Sequence, residues 1–573
     1  MKTIVLVKQV PRPDSIEFDQ ETKALKREGV PLLLNPFDAA AVAAAARLEG
    51  EVVAMTMGPP QAADALRQCL ALGADRAIHL SDRVFAVADT IGTSRTLALA
   101  IRKEGADLVL CGRKTVDSET WQVPPEVAAF LGWPHLTSVT DVEAADGGLR
   151  VLRETDAGYD TFELAPPAVL SVAYAQDPPS EQRHGRIDVW TAADLVDDVR
   201  PNDKRFGQTG SPTRVLAVRD VTPPRAQESF DDANALVRRL AELVEERAPE
   251  RPQWEKPERL GEKPGASYDA WTLVEVADGR ATRTSLELVG KGRELAGKLG
   301  GSNVALVLGA GVDAAADEAA RHGAERVVVV DDERLEPYVP ELWSAALVQV
   351  LRRYRPHTLA IPATANGRDV GPRAAGELEL GMTGDCVNLG IDRAGRLIQT
   401  KPAYGGNIVS IIMGATTPQL ATVRPRMFEL LEPREERAEV ERLELDDLPE
   451  PKARLVDRRP EPALDLDEAD VVVLRGPDAP RDLRPDGAAV GGTREVCGDG
   501  GLPRNRQIGL YGRAVAPRVL VAVGVPGDFE HLTGFVKAGV VVSVNGGDGM
   551  NARADLIARG DAAELVERIL AAR

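Results

Sequence analysis

Histidine and cysteine are both scarce in this chain, six and four among 573 residues. The cysteines, Cys69, Cys111, Cys386 and Cys497, are scattered, with neither metal-ligand nor disulfide spacing, which fits a reducing cytoplasm and no metal site. No histidine has a nucleophile motif or a second ligand at metal-binding spacing, so a Ser/His or metal-dependent hydrolase is disfavoured. Long apolar runs are missing too. None approaches the ~18 residues that a membrane span needs, although 43% of the chain is hydrophobic. The opening MKTIVLVKQV lacks a small-residue cleavage site and reads as a first strand, not a signal peptide. Positive charge is in deficit. A formal net charge of −19 argues against a sequence-independent nucleic-acid binder, which needs a cationic face for phosphates. The length excludes a single core. The expectation is a cytoplasmic, multidomain protein that is not membrane-embedded.

What is present is a chain that resembles itself. DALRQCLALGADRAIHLSD (64–82) and DEAARHGAERVVVVDD (317–332) share an Ala-rich helical run, Gly-Ala-acid-Arg, and an apolar strand closed by Asp. Each continues into a helix, another strand, a loop and a helix: ADLVLCGRKTVDSETWQVPPEVAAFLGW in one, HTLAIPATANGRDVGPRAAGELELGM in the other. That order is the signature of a parallel sheet with helices on both faces. The fold class is therefore α/β, with two tandem doubly wound parallel-sheet nucleotide-binding domains and a third α/β segment after them. Between the copies, DDANALVRRLAELVEER is an amphipathic helix and APERPQWEKPERLGEKPGAS a Pro- and charge-rich linker. A second break is the charged run 431–470, after which VVVLRGP opens the last segment. The expected boundaries are 1–250, with a C-terminal helical arm, a linker at 251–267, then 268–450 and 451–573.

Ligands of open parallel sheets bind beyond the carboxyl ends of the strands. In the first copy those ends carry Lys8, Asn35 and Asp38, Met57 and Gly58, and one loop with Gly112, Lys114, Thr115, Asp117, Ser118 and Thr120. Backbone amides at such turns and helix starts can hold a phosphate. The run ADTIGTS offers Asp89 as a helix cap, with Thr90 and Thr93 as hydroxyl donors. Without a ligand, the same residues read as caps and turns. The second copy brings Arg368 and Arg373 instead, and reads as a scaffold packed on the first in pseudo-two-fold fashion. In the last segment, turns follow each strand-like run, carrying Arg475, Thr493, Arg494, Gly509, Gly527, His531, Asn545 and Asp555. Glycine at these turns permits close backbone approach to a pyrophosphate, and Thr493, Asn545 and Asp555 could hold the sugar and adenine ends. His531, in GVPGDFEHLTG, is either a polar cap where a strand hands over to a helix or the neighbour of a cofactor.

These stretches resemble the electron transfer flavoprotein family. VLVKQVPRPDS, LLNPFDAAAV and MGPPQAADALRQCLALGADRAI are similar to its β subunit over about residues 1–250. GRDVGPRAAGELELGMTGDCVNLGID, QTKPAYGGNIVSIIMG and QLATVRPRMFE are similar to its α subunit over about 268–450, and the last hundred or so residues to that subunit's flavin domain. The chain looks like both subunits fused, β first. The resemblance implies FAD held at Arg475, Thr493 and Arg494, at Ile508, Gly509, Leu510 and Tyr511, at Pro526, Gly527, Asp528, Phe529, Glu530 and His531, and at Asn545 and Asp561. Arg494 and His531 would tune the flavin. The β-type nucleotide contacts would fall on Leu6, on Asn35, Pro36, Phe37 and Asp38, and on Met57. Further along they would fall on Gly112, Lys114, Thr115, Val116, Asp117, Ser118, Glu119, Thr120, Gln122 and Val123. That second site holds AMP in some members and a second FAD in electron-bifurcating ones. Asp89, Thr90 and Thr93 look like the bifurcating kind, where they would meet the additional phosphate.

Three departures stand out. Leu510-Tyr511 replaces the usual Gln-Thr, Pro526 and Glu530 replace Ser and Gln, and SETWQVPP replaces a more acidic, Gly-containing loop. A carboxylate such as Glu530 beside the ring would disfavour negative charge there and lower its potential. The implied function is an electron carrier rather than an enzyme in the ordinary sense. It would accept electrons from acyl-CoA or other dehydrogenases, or from NADH by bifurcation, and deliver them to a membrane quinone oxidoreductase. The alternative is a non-redox nucleotide-binding or regulatory protein on the same fold.

Overall fold

The computed structural model describes residues 1–12, 17–19, 24–26, 29–145, 147–174, 185–220, 224–248, 253–260, 268–406, 408–435, 437–461, 466 and 469–571. They form two compact units. One comprises 1–218, 252–402 and 410–460; the other comprises 219–251, 403–409 and 461–573.

Among the described residues, the larger unit is built on two large sheets. Seven parallel strands of the first run in the order Ile187–Trp190, Arg76–Leu80, Glu51–Met57, Lys2–Leu6, Leu108–Gly112, Ala168–Val172 and His135–Ala145. The second sheet, read the same way, runs Glu439–Arg442, Arg326–Asp331, Asn303–Gly309, Ala270–Val274, Thr358–Pro362, Gln419–Val423 and Met382–Cys386, all parallel. Strand for strand, the two orders coincide. The textual repeat is thus a repeat of topology. Its central strands, LVLCG and NVALVLG among them, are buried along their whole length, as strands covered on both faces must be. Equivalent helices of the two copies, Val123–Leu131 and Gly367–Leu378, pack on each other. A Cβ on Gly376 would lie 2.8 Å from that of Ala129, so glycine permits the approach.

Two stretches read as linkers are structured in part. The charged run after 431 supplies Glu439–Arg442, an edge of the second sheet. It also supplies Ala453–Pro460, which pairs antiparallel with Gly158–Leu164 at the edge of the first. Arg458 pairs there with Asp160 at 2.8 Å and Arg454 with Glu163 at 2.6 Å. Charge on an edge strand blocks pairing with other chains, and that same charge makes it resemble a linker. The expected boundary at 451 therefore falls just before a strand of the first sheet. In the linker 251–267, Trp254 is buried, donates its indole N–H to the Glu432 carbonyl at 3.1 Å, and lies between the guanidinium groups of Arg293 and Arg434. One aromatic anchors what the prolines and charges made look solvated. Residues 251–252 and 261–267 of that linker, and 462–465 and 467–468 of the later joint, lie outside the described residues.

The smaller unit is a six-stranded parallel sheet in the order Glu228–Phe230, Leu556–Ala558, Val540–Val544, Val519–Val523, Val471–Arg475 and Ala489–Gly492. Its first strand and the helix Ala233–Glu246, which buries Leu236, Leu240 and Leu243, come from the arm counted above with residues 1–250. Among the described residues no helix is long and apolar enough to cross a membrane, and no cluster of His, Cys, Asp or Glu could hold a metal ion.

Candidate functional site

The carboxyl ends of the first sheet collect the expected residues, but most of their polar groups are spent on one another. Asp38 is buried; Oδ2 accepts the Lys8 N–H at 2.8 Å and Oδ1 the Gly112 N–H at 3.2 Å, so it braces the ends of two neighbouring strands. Burial pushes its pKa up to about 7. Asn35, fully buried, donates to the Lys114 carbonyl at 2.9 Å and accepts the Val116 N–H at 3.2 Å. Phe37 lies beneath the Arg113 guanidinium, 5.1 Å from its ring centroid. Lys8 pairs with Asp117 at 2.6 Å, Lys114 with Glu119 at 3.1 Å, and the hydroxyls of Thr115 and Ser118 share a bond at 2.9 Å. Gln122 donates to the Met382 carbonyl at 3.1 Å. Leu6 and Met57 stand at strand ends as expected, with Pro36 opening the helix Pro36–Ala45.

The two helix starts of this lobe offer less to a phosphate than their sequence promised. Asp89 does cap the helix Thr90–Glu104 by accepting the Gly92 N–H at 2.9 Å, and its other oxygen accepts both the N–H and the hydroxyl of Thr213, each at 2.8 Å. Thr90 donates to Glu126 at 2.9 Å, as does Ser94. Thr120 precedes the second start, the helix Val123–Leu131, where Pro124 and Pro125 have no N–H and that of Glu126 goes to the Gln122 carbonyl at 3.1 Å. Glu126 was no candidate in the sequence. It is fully buried, and burial together with the Asp89 charge holds its carboxyl well above the usual range. Thr93 lies a turn above Asp89, half-buried.

In the smaller unit Arg475, Thr493, Arg494, Asn545 and Asp561 sit at or just beyond the carboxyl ends of strands, Pro526 to His531 follow the strand Val519–Val523, and Ile508 to Tyr511 form a turn hydrogen-bonded to one such end. Arg475 ends Val471–Arg475. It is 2% exposed, and its Nε and Nη1 have no partner. A buried guanidinium without an acceptor is costly, and a bound anion would relieve that cost. Thr493, buried, precedes the short helix Arg494–Gly498. The Arg494 guanidinium lies over the Tyr511 ring, 4.7 Å from its centroid. Tyr511 belongs to a tight turn: Ile508 donates to the Gly492 carbonyl at 2.9 Å, and Leu510, buried, donates to the Glu530 carbonyl at 2.8 Å. Gly509 has φ +132°, and a Cβ there would meet that same carbonyl at 2.5 Å. Burial, and next the Glu530 charge, push the Tyr511 hydroxyl above its ordinary pKa.

The turn after Val519–Val523 carries Pro526, Gly527 and the four-residue helix Phe529–Leu532. At Gly527, φ is +92° and a Cβ would lie 1.9 Å from the Met550 nitrogen. His531 is buried, and its Nδ1 accepts the Asp528 N–H at 3.2 Å. Its ring proton is therefore on Nε2, which faces Glu495 Oε2 at 3.3 Å. So His531 does cap its turn, at the end of a sheet strand where a cofactor would dock. Glu495 had not been a candidate, because in the sequence it is an ordinary acid in the first turn of a short helix. Asn545, with φ +52°, clasps Gly560 through bonds of 2.8 and 3.0 Å, and Asp561 accepts the Glu564 N–H at 3.0 Å. Asp555 is committed elsewhere: its fully buried carboxylate pairs with Arg225 and Arg247.

Glycine turns at the ends of parallel strands, with a buried guanidinium waiting among them, define a nucleotide-binding α/β protein. The family profile "Electron transfer flavoprotein domain" matches residues 22–195 and 270–448, and "Electron transfer flavoprotein FAD-binding domain" matches 484–536. The chain belongs to the electron transfer flavoprotein family, with a β-like and an α-like part fused in that order. The β subunit from Thermoanaerobacterium thermosaccharolyticum is 38% identical over 239 residues, covering 40% of this chain and 92% of the relative. The α subunit from that organism is 31% identical over 292 residues, 48% of this chain and 88% of the relative. "Caffeyl-CoA reductase-Etf complex subunit CarD" of Acetobacterium woodii is 40% identical over 234 residues, 39% of this chain and 88% of the relative.

Proposed function

We propose that the chain is an electron carrier whose working FAD is held by the smaller unit. The observation that carries this is Arg475, a buried cation with two unpartnered nitrogens at the end of a central strand. When bound, FAD supplies reversible uptake of electrons. The chain's own part is to bind and orient it. Arg475 would hold a phosphate oxygen, and Thr493, Asn545 and Asp561 flank the strand ends around it, while Gly527 packs its turn against Met550. His531 and Arg494 stand where a donor would favour charge on the reduced ring. Donors are dehydrogenases, of acyl-CoA or other substrates, and the acceptor is a quinone-reducing oxidoreductase at the membrane. Arg475→Ala should weaken FAD binding by about 10- to 150-fold in Kd, in line with loss of a buried charge-assisted bond of roughly 1.5–3 kcal/mol. An unchanged Kd for FAD would refute the assignment.

The first lobe is the place for AMP or a second FAD. A second FAD, with NADH as donor and bifurcation of its electron pair, is favoured by the ADTIGT run and by the likeness to CarD. AMP is favoured by the bonds that already occupy Asp89 and Thr90, which leave little for an additional phosphate. Release of ligands by denaturation decides: two FAD per chain selects the bifurcating reading, one FAD with one AMP the simple carrier. No FAD at all would turn the reading to a non-redox nucleotide-binding protein.

A further inference from the structure

We infer that Glu495 is a positioning residue for His531, engaging the Nε2 proton that the Asp528 bond leaves there and drawing it away from a reduced flavin. This rests on the FAD reading of the smaller unit. The second residue of the helix Arg494–Gly498, half-exposed Glu495 reaches across to the turn that carries His531, with Oε2 at 3.3 Å from Nε2. The other nitrogen, Nδ1, accepts the backbone N–H of Asp528 at 3.2 Å. A ring with one nitrogen accepting from a backbone donor and the other facing a carboxylate has a single tautomer, with its proton on Nε2. The Asp528 carboxylate lies on the opposite side of the ring, exposed and 3.9 Å from Nδ1, beyond hydrogen-bond reach.

The consequence is opposed control of the two donors at the site. Arg494 is stacked over Tyr511, and the His531 proton is claimed by an acid. Hydrogen bonding to a charged form favours that form, and a donor already bonded to a carboxylate gives less to it. Glu495 thereby holds the flavin potential lower than His531 alone would set it, and does so through His531.

The test is a cycle of four FAD-loaded chains: wild type, Glu495→Gln, His531→Ala and the double variant. Midpoint potentials are read by dye equilibration. The expected result is a more positive potential in Glu495→Gln, with most of that rise absent when His531 is already alanine. An equal rise in both backgrounds would mean that Glu495 acts only as a bare charge and would overturn the inference, as would no rise at all. A second readout needs no flavin: ring 15N shifts of His531 in the apo chain. Wild type and Glu495→Gln should both show Nδ1 unprotonated and Nε2 protonated, with the Nε2 resonance of the variant shifted because its carboxylate partner is gone. An Nε2 resonance that does not move in the variant would also overturn the inference. Failure of the wild-type chain to take up FAD would refute the flavin reading instead, and leaves the 15N comparison intact.

Discussion

Replacing Asp555 with alanine should detach the arm 224–248 from the smaller unit. The carboxylate is fully buried and accepts four bonds: from Ala226 N–H at 3.2 Å and Arg247 at 2.9 Å on Oδ1, and from Val541 N–H at 2.9 Å and Arg225 at 2.8 Å on Oδ2. Breaking a buried ion pair by removing one partner costs about 3–5 kcal/mol, because the surviving charge stays buried. Here the low end applies. Arg247 is 31% exposed in its side chain and can be hydrated, and Arg225 keeps the carbonyls of Gly539 and Ala538 at 3.0 and 3.1 Å. About 3 kcal/mol in a unit of this size is a fall of roughly 6–12 °C in its melting temperature. All six tryptophans lie in the larger unit, so their fluorescence would miss the change. Hydrogen exchange of the helix Ala233–Glu246 reads it directly. A loss below about 1 kcal/mol, with exchange in that helix unaltered, would refute the reasoning that Asp555 clamps the arm. The sign of the pH effect follows as well. Burial opposes ionisation, but Arg247, the Val541 N–H and Arg225 outweigh it and hold the carboxyl below its usual range. The unfolded chain then binds the proton first, so this contribution is complete above about pH 4 and is lost as pH falls through the lower folded value. Asp555→Asn should abolish that acid dependence.

Gly527→Ala would place a methyl 1.9 Å from the Met550 nitrogen at a φ of +92°, so thermal unfolding of the smaller unit should fall by several degrees; an unchanged melt would show that the turn can relax. Glu275, whose pKa burial pushes up to about 8, keeps its proton in the folded chain over a range where the unfolded chain has lost it. Stability therefore declines as pH rises from about 4 towards 8, and Glu275→Gln should flatten that decline in urea titrations. Asp89→Ala removes a helix cap and the tie to Thr213, a loss of about 1–2 kcal/mol in the larger unit by urea denaturation. If a second FAD is bound, the same change should empty that site and leave the other flavin in place.

The sequence by itself determined the α/β class and the tandem copies, because buried parallel strands must be written as unbroken apolar runs between helices. It also determined the strand-end turns at Arg475, Thr493, Gly527 and Asn545, since glycine and polar residues there are local necessities. Tertiary structure alone decided what those polar groups face. Asn35, Asp38, Asp89 and Asp555 read equally well as ligand contacts or as braces, and their partners lie tens to hundreds of residues away. Glu126 and Glu495 were invisible for the same reason, each looking like an ordinary helix-surface acid until Thr90 or His531 was brought to it. The arm and the strand Ala453–Pro460 completed the pattern. The arm was read as an amphipathic helix of the first domain and the strand's region as a charged joint, yet the free edge of a sheet is satisfied by backbone N–H and C=O groups, which any sequence can supply.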